Sequence, residues 1–535
     1  MRQPLQRFLT TMNERGLDRP EAHLMEALRV WWTDRALQES PDSTMDTEEE
    51  PDRLFGVMKE QVEGKLGHFP GDRDLFFQWY HLLKDLDVID SVTELVRADR
   101  SHTLLLPEML FTTFADRIRD EAIPPRTLLI TEAEKFLPRL KSFVESNRDR
   151  LITLTTERWI MHKLLELAFA GEAHVRIRFQ SIYKPMDLPL YDGIFSVPDF
   201  GGRLDPAECH DQFWTNETEG IAAENLLRHL TEQGILHLIA PAKLTFGGAG
   251  LASLRRVLSK AFQVGRIEAL PEGSLRPWTG IRAYWITLSK QPVSQVILGR
   301  LGWKDGNLSP ETEQRLTPTR FADQKDWRVD LYLADNQAEL ARYQASDIRK
   351  TKLKEVAEIF RGKSIMKKDI RPGEIAVLNI SNLEEGEVLW DGLDTIAEER
   401  RKVRRYELEP GDLVMTCRGT VNKFAVIDQL PRTVIASANI IVLRFKEGID
   451  STWAKIFLES PVGAALVKSF QRGGTVMNIN PGDIGELEIP WPDPQKQQRL
   501  IEEYRREWEH LRETIRQAEE RWKNKRTAIE QQLYQ

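Results

Sequence analysis

Apolar residues recur three and four positions apart through EAHLMEALRVWWTDRAL and DLFFQWYHLLKDLDVIDSVTELV, the spacing of helices that bury one face. Residues 1–110 therefore read as a helical N-terminal domain. Between the two patterns, ESPDSTMDTEEEPDR is polar, acidic and bounded by proline, and reads as a flexible loop. No repeat of fixed period is present. From 111 to 300 the pattern changes to short β-like runs: RTLLI, RLITLT, HVRIRF, YDGIFSV, GILHLIA, RIEAL and AYWITLS. Helical stretches such as ERWIMHKLLELAFA and GIAAENLLRHLTEQ fall between them. Strands alternating with helices imply βαβ crossovers and a mostly parallel sheet covered on both faces.

Residues 301–345 are polar and read as a linker with short helical pieces. Residues 346–492 are β-rich and punctuated by glycine, and 493–535 form one long helix after the stop IPWPDP. In that helix Ile501, Tyr504, Trp508, Leu511, Ile515, Ala518, Trp522 and Ile529 follow a heptad seam for about three heptads. One amphipathic helix lying on its own protein is the plainer reading; a coiled coil with a second copy or a partner helix is the other.

With 535 residues, the chain exceeds what one ordinary core holds. Its net charge of -8 argues against a sequence-blind binder of polyanions, although a basic face can sit on an acidic protein. Two cysteines, Cys209 and Cys417, exclude a disulfide framework and a cysteine-rich metal site, and suit a reducing cytoplasm. No apolar run approaches the ~20 residues that span a membrane, and the N-terminus lacks a signal-peptide core.

The stretch LYDGIFSVPDFGG keeps Tyr191, Asp192, Ile194, Pro198, Phe200 and Gly201 of a YDxIxxNPPFG frame. Farther on, Ala240, Pro241, Leu244, Phe246, Arg255, Leu270, Pro271, Gly273, Thr279, Gly280, Ile281 and Lys290 fall in step with one family pattern. Together these resemble the modification subunit of type I restriction systems, an adenine-N6 DNA methyltransferase. The resemblance implies a class I methyltransferase-like sheet, and also chemistry that the sequence does not supply. Val197 stands for the catalytic Asn and Asp199 for the second Pro. The glycine-rich turn for S-adenosylmethionine is replaced by ITEAEKF (130–136), and the acid expected near the adenine by Gln180 or Ser181. Glu157 stands where an acid would reach the ribose, although a glutamate at a strand end is common. A retained scaffold without catalysis is the leading expectation, so no catalytic, cofactor-binding or metal residue is named.

Residues 346–492 resemble a target-recognition domain of the type I specificity subunit, through KLKEVAEIFRGKSI, IAVLNISNLEEGEV, LEPGDLVMTCRGTVNKFAVI, IASANIIVLR and GGTVMNINPGDIGELEIPWPDPQKQQ. Three loops there join glycine to a cation and a hydroxyl or amide: Arg361, Gly362, Lys363 and Ser364; Arg418, Gly419, Thr420, Asn422 and Lys423; and Gln471, Arg472, Gly473, Gly474 and Thr475. Arginine and lysine suit phosphates and guanine edges, asparagine and glutamine adenine, and glycine a close backbone approach. These loops could equally be ordinary turns with solvated cations. Three in one domain favour contact with DNA.

The expected fold is α/β: a helical N-terminal domain, a class I methyltransferase-like mostly parallel sheet, a mixed α/β recognition domain and a terminal coiled-coil helix. The expected function is a sequence-specific DNA-binding subunit of a restriction-modification-like or anti-phage defence system. Its partners would be double-stranded DNA, other defence subunits (a nuclease, helicase or active methylase) and a second copy through the terminal helix. The alternatives are an active adenine-N6 methyltransferase with an atypical pocket and a protein-binding adaptor.

Overall fold

The computed structural model describes residues 2–39, 51–98, 105–121, 123–205, 213–248, 250–276, 279–304, 307–322, 326–333, 337–384, 386–418, 423–470 and 478–533. Two compact units divide the chain, Met1–Val329 and Asp330–Gln535.

Nine strands carry the first unit: β1 (Thr127–Ile130), β2 (Leu151–Thr156), β3 (Val175–Phe179), β4 (Tyr191–Ser196) and β5 (Leu230–Pro241), followed by β6 (Gln263–Ala269), β7 (Ala283–Ser289), β8 (Val296–Lys304) and β9 (Asn307–Leu316). They lie side by side in the order β3-β2-β1-β4-β5-β7-β6-β8-β9. The first five are parallel, and β7 runs antiparallel between β5 and β6. This is the class I methyltransferase-like sheet, and each of the seven β-like runs of the sequence forms one of its first seven strands. The central strands are apolar on both faces because helices cover both. The outer strand β3 instead exposes Arg176 and Arg178, charges that suit a sheet edge. The β8–β9 hairpin takes the sheet on to Leu316, so the segment expected as a linker from residue 301 begins as sheet.

The N-terminal helices do not keep a core of their own. Phe8 of Gln3–Glu14 meets Trp79 edge to face at 5.2 Å, and the Trp79 indole donates to Thr11 Oγ1 at 2.8 Å. One continuous apolar cluster runs from these residues through helix Glu108–Asp120 to the sheet. There Phe114 stacks on Phe195 at 4.3 Å and Phe195 on Trp285 at 5.5 Å. The Arg117 guanidinium lies over Trp285 at 4.2 Å and is paired with buried Glu268 at 2.7 Å. Burial of one of these charges without the other would be costly, so the pair also fixes how the helix crosses the sheet.

The second unit holds β10 (Lys350–Lys352), β11 (Ala357–Arg361), β12 (Ile370–Leu378), β13 (Leu383–Glu384), β14 (Glu387–Val388) and β15 (Asp394–Ile396). After them come β16 (Leu413–Thr416), β17 (Phe424–Val426), β18 (Val434–Ala436), β19 (Ile440–Phe445) and β20 (Glu488–Pro490). The main sheets are β11-β19-β16-β17 and β15-β12-β18, with the short pairs β10-β20 and β13-β14 beside them. Val414, Ala425 and Val442 of the first sheet share a core with Ala376, Leu378 and Ala436 of the second.

A helix of 40 residues, Pro494–Leu533, ends the chain. It begins at Asp493, whose carboxylate accepts from the Lys496 N–H at 2.9 Å, a cap for an otherwise unsatisfied donor. Its first turns are fastened to the unit. The buried Lys455 ammonium donates to Tyr504 Oη at 3.0 Å and lies 5.1 Å from the Trp508 ring, while Ile501 is buried. Beyond that point the seam is open to solvent, with Leu511, Ile515, Trp522 and Ile529 all exposed. Among the described residues no helix is long and apolar enough to cross a membrane.

Candidate functional site: the strand-reversal crevice and the loops of the second unit

Strand order reverses between β1 and β4, because β2 and β3 lie on one side and β5 on the other. In open α/β sheets ligands bind at such a reversal, outside the carboxyl ends of the strands. The segments there are Thr131–Lys135 after β1 and Val197–Asp199 after β4.

Lys135 joins the two segments. Its buried ammonium donates to the Val197 carbonyl oxygen at 2.6 Å and to Asp199 Oδ1 at 3.0 Å, and pairs with Glu132 Oε2 at 3.0 Å. Tyr183 closes the set. Its hydroxyl accepts from the Asp199 N–H at 2.7 Å and donates to Glu132 Oε1 at 3.4 Å. Beneath, Thr131 Oγ1 donates to Ser196 Oγ at 2.7 Å. The Val197 side chain is fully buried and offers nothing polar.

Glu132 has φ 47°, the only left-handed non-glycine residue among those described. A sharp turn after β1 asks for such a residue, and glycine adopts it without strain. Here the turn survives with a carboxylate on it, held in place by Lys135 and Tyr183. Burial pushes the Glu132 carboxyl up to about 7, against the pull of Lys135. Burial likewise works against the Lys135 charge, but Glu132 and Asp199 outweigh it and hold the ammonium above its usual range. Glu134 is also buried, and its carboxyl is raised by that burial.

The other residues of the methyltransferase frame have structural partners. Glu157 accepts from Ser181 Oγ at 2.6 Å, and the Gln180 amide donates to the Ser181 and Pro185 carbonyls at 2.9 and 3.2 Å. Asp192 lies at the opposite end of β4, accepting from the Arg126 and Thr127 N–H groups at 3.1 Å and from Thr231 Oγ1 at 3.0 Å. Burial pushes its carboxyl up, but these hydrogen bonds outweigh that and hold it low. The fold implies S-adenosylmethionine, and these residues do not suit it. Charged side chains take up the turn at the reversal, and no glycine there lets the backbone approach a cofactor. No step through that group is derived.

In the second unit two of the three predicted loops, through Arg361 and Arg418, meet at Asn478 and Ile479. Arg361 Nη2 donates to Asn478 Oδ1 at 2.7 Å and also to the Ile479 carbonyl. Arg418 forms a backbone bridge with Asn478, and the Ile479 N–H donates to the Cys417 carbonyl at 2.9 Å. Arg418 and Ser364 are exposed. Lys363 pairs with Glu398 at 2.5 Å, and Lys423 donates to the Leu383 carbonyl at 2.8 Å. Gly362 has a structural reason of its own: an added methyl would lie 2.2 Å from the Ala436 carbonyl oxygen. Gly419, Thr420, Asn422, Gln471, Arg472, Gly473, Gly474 and Thr475 lie outside the described residues.

Residues 345–503 match the family model of the type I restriction modification DNA specificity domain. That span holds β10 to β20 and the first turns of the terminal helix, as far as residue 503. No curated protein matches the chain. Among solved structures, the type IIG restriction endonuclease BpuSI is similar at 12% identity over 94% of this chain and 74% of its own, with a TM-score of 0.42. The type I restriction-modification system methyltransferase subunit from Streptococcus thermophilus is similar at 12% identity over 57% of this chain and 70% of its own, with a TM-score of 0.37. The HsdS subunit from Thermoanaerobacter tengcongensis is similar at 14% identity over 37% of this chain and 54% of its own, with a TM-score of 0.26.

Two features, one in the crevice and one in the matched span, leave no motif in the sequence. Lys135 was visible in ITEAEKF, but nothing in that string says that its ammonium turns inward. In the matched span, RRKVRRY (400–406) carries five cations in seven residues, a signal that charge counting alone would have found.

Proposed function

We propose that this protein is a sequence-specific DNA-binding subunit of a restriction-modification-like or anti-phage defence system, built on a methyltransferase-like sheet that no longer catalyses. The observation that carries the reading is the meeting of the Arg361 and Arg418 segments at Asn478 and Ile479, inside the span that matches a DNA specificity domain. Catalytic silence is supported by the Lys135 ammonium, which already uses the Val197 carbonyl and the Asp199 carboxylate at the strand reversal. The recognition loops would read the bases, and partner subunits would supply nuclease, helicase or methylase activity. Exposed Leu511, Ile515, Trp522 and Ile529 would pair the terminal helix with a second copy, in the cytoplasm.

Selection of bound duplexes from a random pool, at about physiological salt, tests this. Enrichment of a defined motif supports the reading, and a split motif with a fixed spacer also supports pairing of two copies. Absence of any enrichment overturns it. An active adenine-N6 methyltransferase with an atypical pocket is the second reading, favoured by the intact strand order. Calorimetric titration with S-adenosylmethionine separates the two: saturable binding would overturn catalytic silence.

A further inference from the structure

Val403 is fully buried between Ile375, Val377, Ile396 and Ile435, so the short helix Arg400–Val403 is anchored on the β15-β12-β18 sheet by one apolar side chain. The residues around it face solvent. Side chains of Arg400, Arg401 and Lys402 are 71%, 89% and 58% exposed, and Arg404 and Arg405 are exposed as well.

A second basic segment lies alongside. Arg371 Nη2 donates to the Ala397 carbonyl at 2.9 Å, Thr395 Oγ1 donates to the Arg371 carbonyl at 3.0 Å, and Ile370 is paired with Ile396. At Gly373 an added methyl would lie 2.1 Å from the Ile396 carbonyl oxygen, so the two strands meet too closely there for a side chain. Segment 363–371 carries Lys363, Lys367, Lys368 and Arg371; Lys363 reaches Glu398 of the neighbouring segment, and Lys367 and Lys368 are exposed. Together the segments 363–371 and 398–407 hold nine cations and four acids, in a chain whose net charge is -8.

The acids are already engaged. Glu407 takes Arg400 through two contacts of 2.9 and 3.0 Å, and Glu399 lies 3.5 Å from Lys402 and 3.9 Å from Arg401. Glu398 holds Lys363, and Asp369 accepts from the Met366 N–H at 2.9 Å. The Arg405 guanidinium lies over the Tyr406 ring at 4.6 Å and is hydrogen-bonded to its hydroxyl, which stiffens an otherwise flexible side chain. Between 365 and 371 and between 398 and 407 there is no Asn, Gln, Ser or Thr. Such an array suits phosphates and lacks the amide side chains that pair with adenine. Through Lys363 it adjoins the recognition loop Arg361–Ser364.

We propose that segments 363–371 and 398–407 form a phosphate-binding surface that holds the duplex backbone beside the recognition loops and supplies affinity without sequence preference. This rests on the DNA-binding reading above. The test is binding of the full chain to a labelled duplex carrying the selected motif, and to a scrambled duplex, across a salt series. In the triple variant Arg401→Gln/Arg404→Gln/Arg405→Gln, the slope of log affinity against log salt should fall by about 2.7, since each phosphate contact contributes about 0.9. Affinity should drop at least about tenfold near 0.1 M salt, equally for both duplexes. The Arg→Lys triple should keep the wild-type slope, and both variants should melt like the wild type because the side chains are exposed. An unchanged slope in the glutamine triple overturns this surface while leaving the DNA reader intact. So does a loss confined to the selected motif. Failure of the wild-type chain to bind either duplex overturns the DNA-binding reading itself.

Discussion

The Lys135 ammonium lies 2.6 Å from the Val197 carbonyl oxygen, and so ties the turn after β1 to the turn after β4 across the strand reversal of the sheet. A protein that opened this crevice to a ligand in each cycle would have to break that bond and two ion pairs. Removing a buried charge while its partners remain is among the costlier single changes, about 3–5 kcal/mol. Lys135→Met should therefore destabilise the first unit by about that much in urea unfolding, because Glu132 stays buried without its cation. The triple variant Lys135→Met/Glu132→Gln/Asp199→Asn should recover most of the loss. Equal losses in the single and triple variants would show that packing, not charge, holds the turn.

Glu132 gives the same turn a pH dependence with a definite sign. Its folded carboxyl titrates at about 7 because of burial, above the ordinary 4.5. An acid whose pKa is raised on folding binds its proton more tightly in the native state, so its contribution is complete below pH 4.5 and is lost as pH rises to 7. The whole shift corresponds to about 3 kcal/mol. Glu132→Gln cannot lose this proton. Its stability relative to the wild type should therefore improve steadily from about pH 5 to pH 8, by an amount approaching that figure. Parallel stability curves for the two proteins would mean that the carboxylate does not titrate in this window.

Arg361 illustrates what sequence could and could not say about the second unit. A cation next to Gly362 in a β-rich domain reads as a candidate recognition-loop residue, and the glycine as a site of close approach. What the glycine approaches is the Ala436 carbonyl of its own chain, and Arg361 reaches Asn478 and Ile479 across 117 positions and more. Pairings this long in sequence leave no local trace. Most of the first seven strands are legible for the opposite reason: buried strands such as β1, β4, β5 and β7 are short, largely apolar runs, whatever their partners. The outer hairpin strand NLSPETEQRL has neither run nor alternation, since most of it faces solvent, and so it read as linker.

The same geometry makes Arg361 a brace as well as a candidate contact. Arg361→Ala should cost the second unit about 1.5–3 kcal/mol, the usual worth of a hydrogen bond made by a charged group. It should also flatten the preference for the selected DNA motif, because the Arg361 segment loses its tie to Asn478 and Ile479. Asn478→Ala should flatten the preference in the same direction, and the double variant should add little to Arg361→Ala alone, as expected of residues acting through one contact. Full additivity in a double-mutant cycle would mean that the two side chains work independently.

The terminal helix is asymmetric along its length. Lys455, held between Tyr504, Trp508 and Glu459, fixes its beginning, and Arg512 reaches Glu387 at 2.7 Å. Past that point Ile515, Trp522 and Ile529 are 41%, 63% and 47% exposed on one seam. Apolar side chains recurring every seven residues on an exposed helix are satisfied by a second helix. Ile515→Glu/Trp522→Glu should leave the melting temperature of the dilute protein unchanged, since neither side chain is buried in the single chain. In sedimentation at micromolar concentration the wild type should run as a dimer and the variant as a monomer. Trp508→Ala, by contrast, should loosen the fastened start of the helix and lower thermal stability at any concentration. A wild type that sediments as a monomer throughout would assign the seam to a helix of a different subunit.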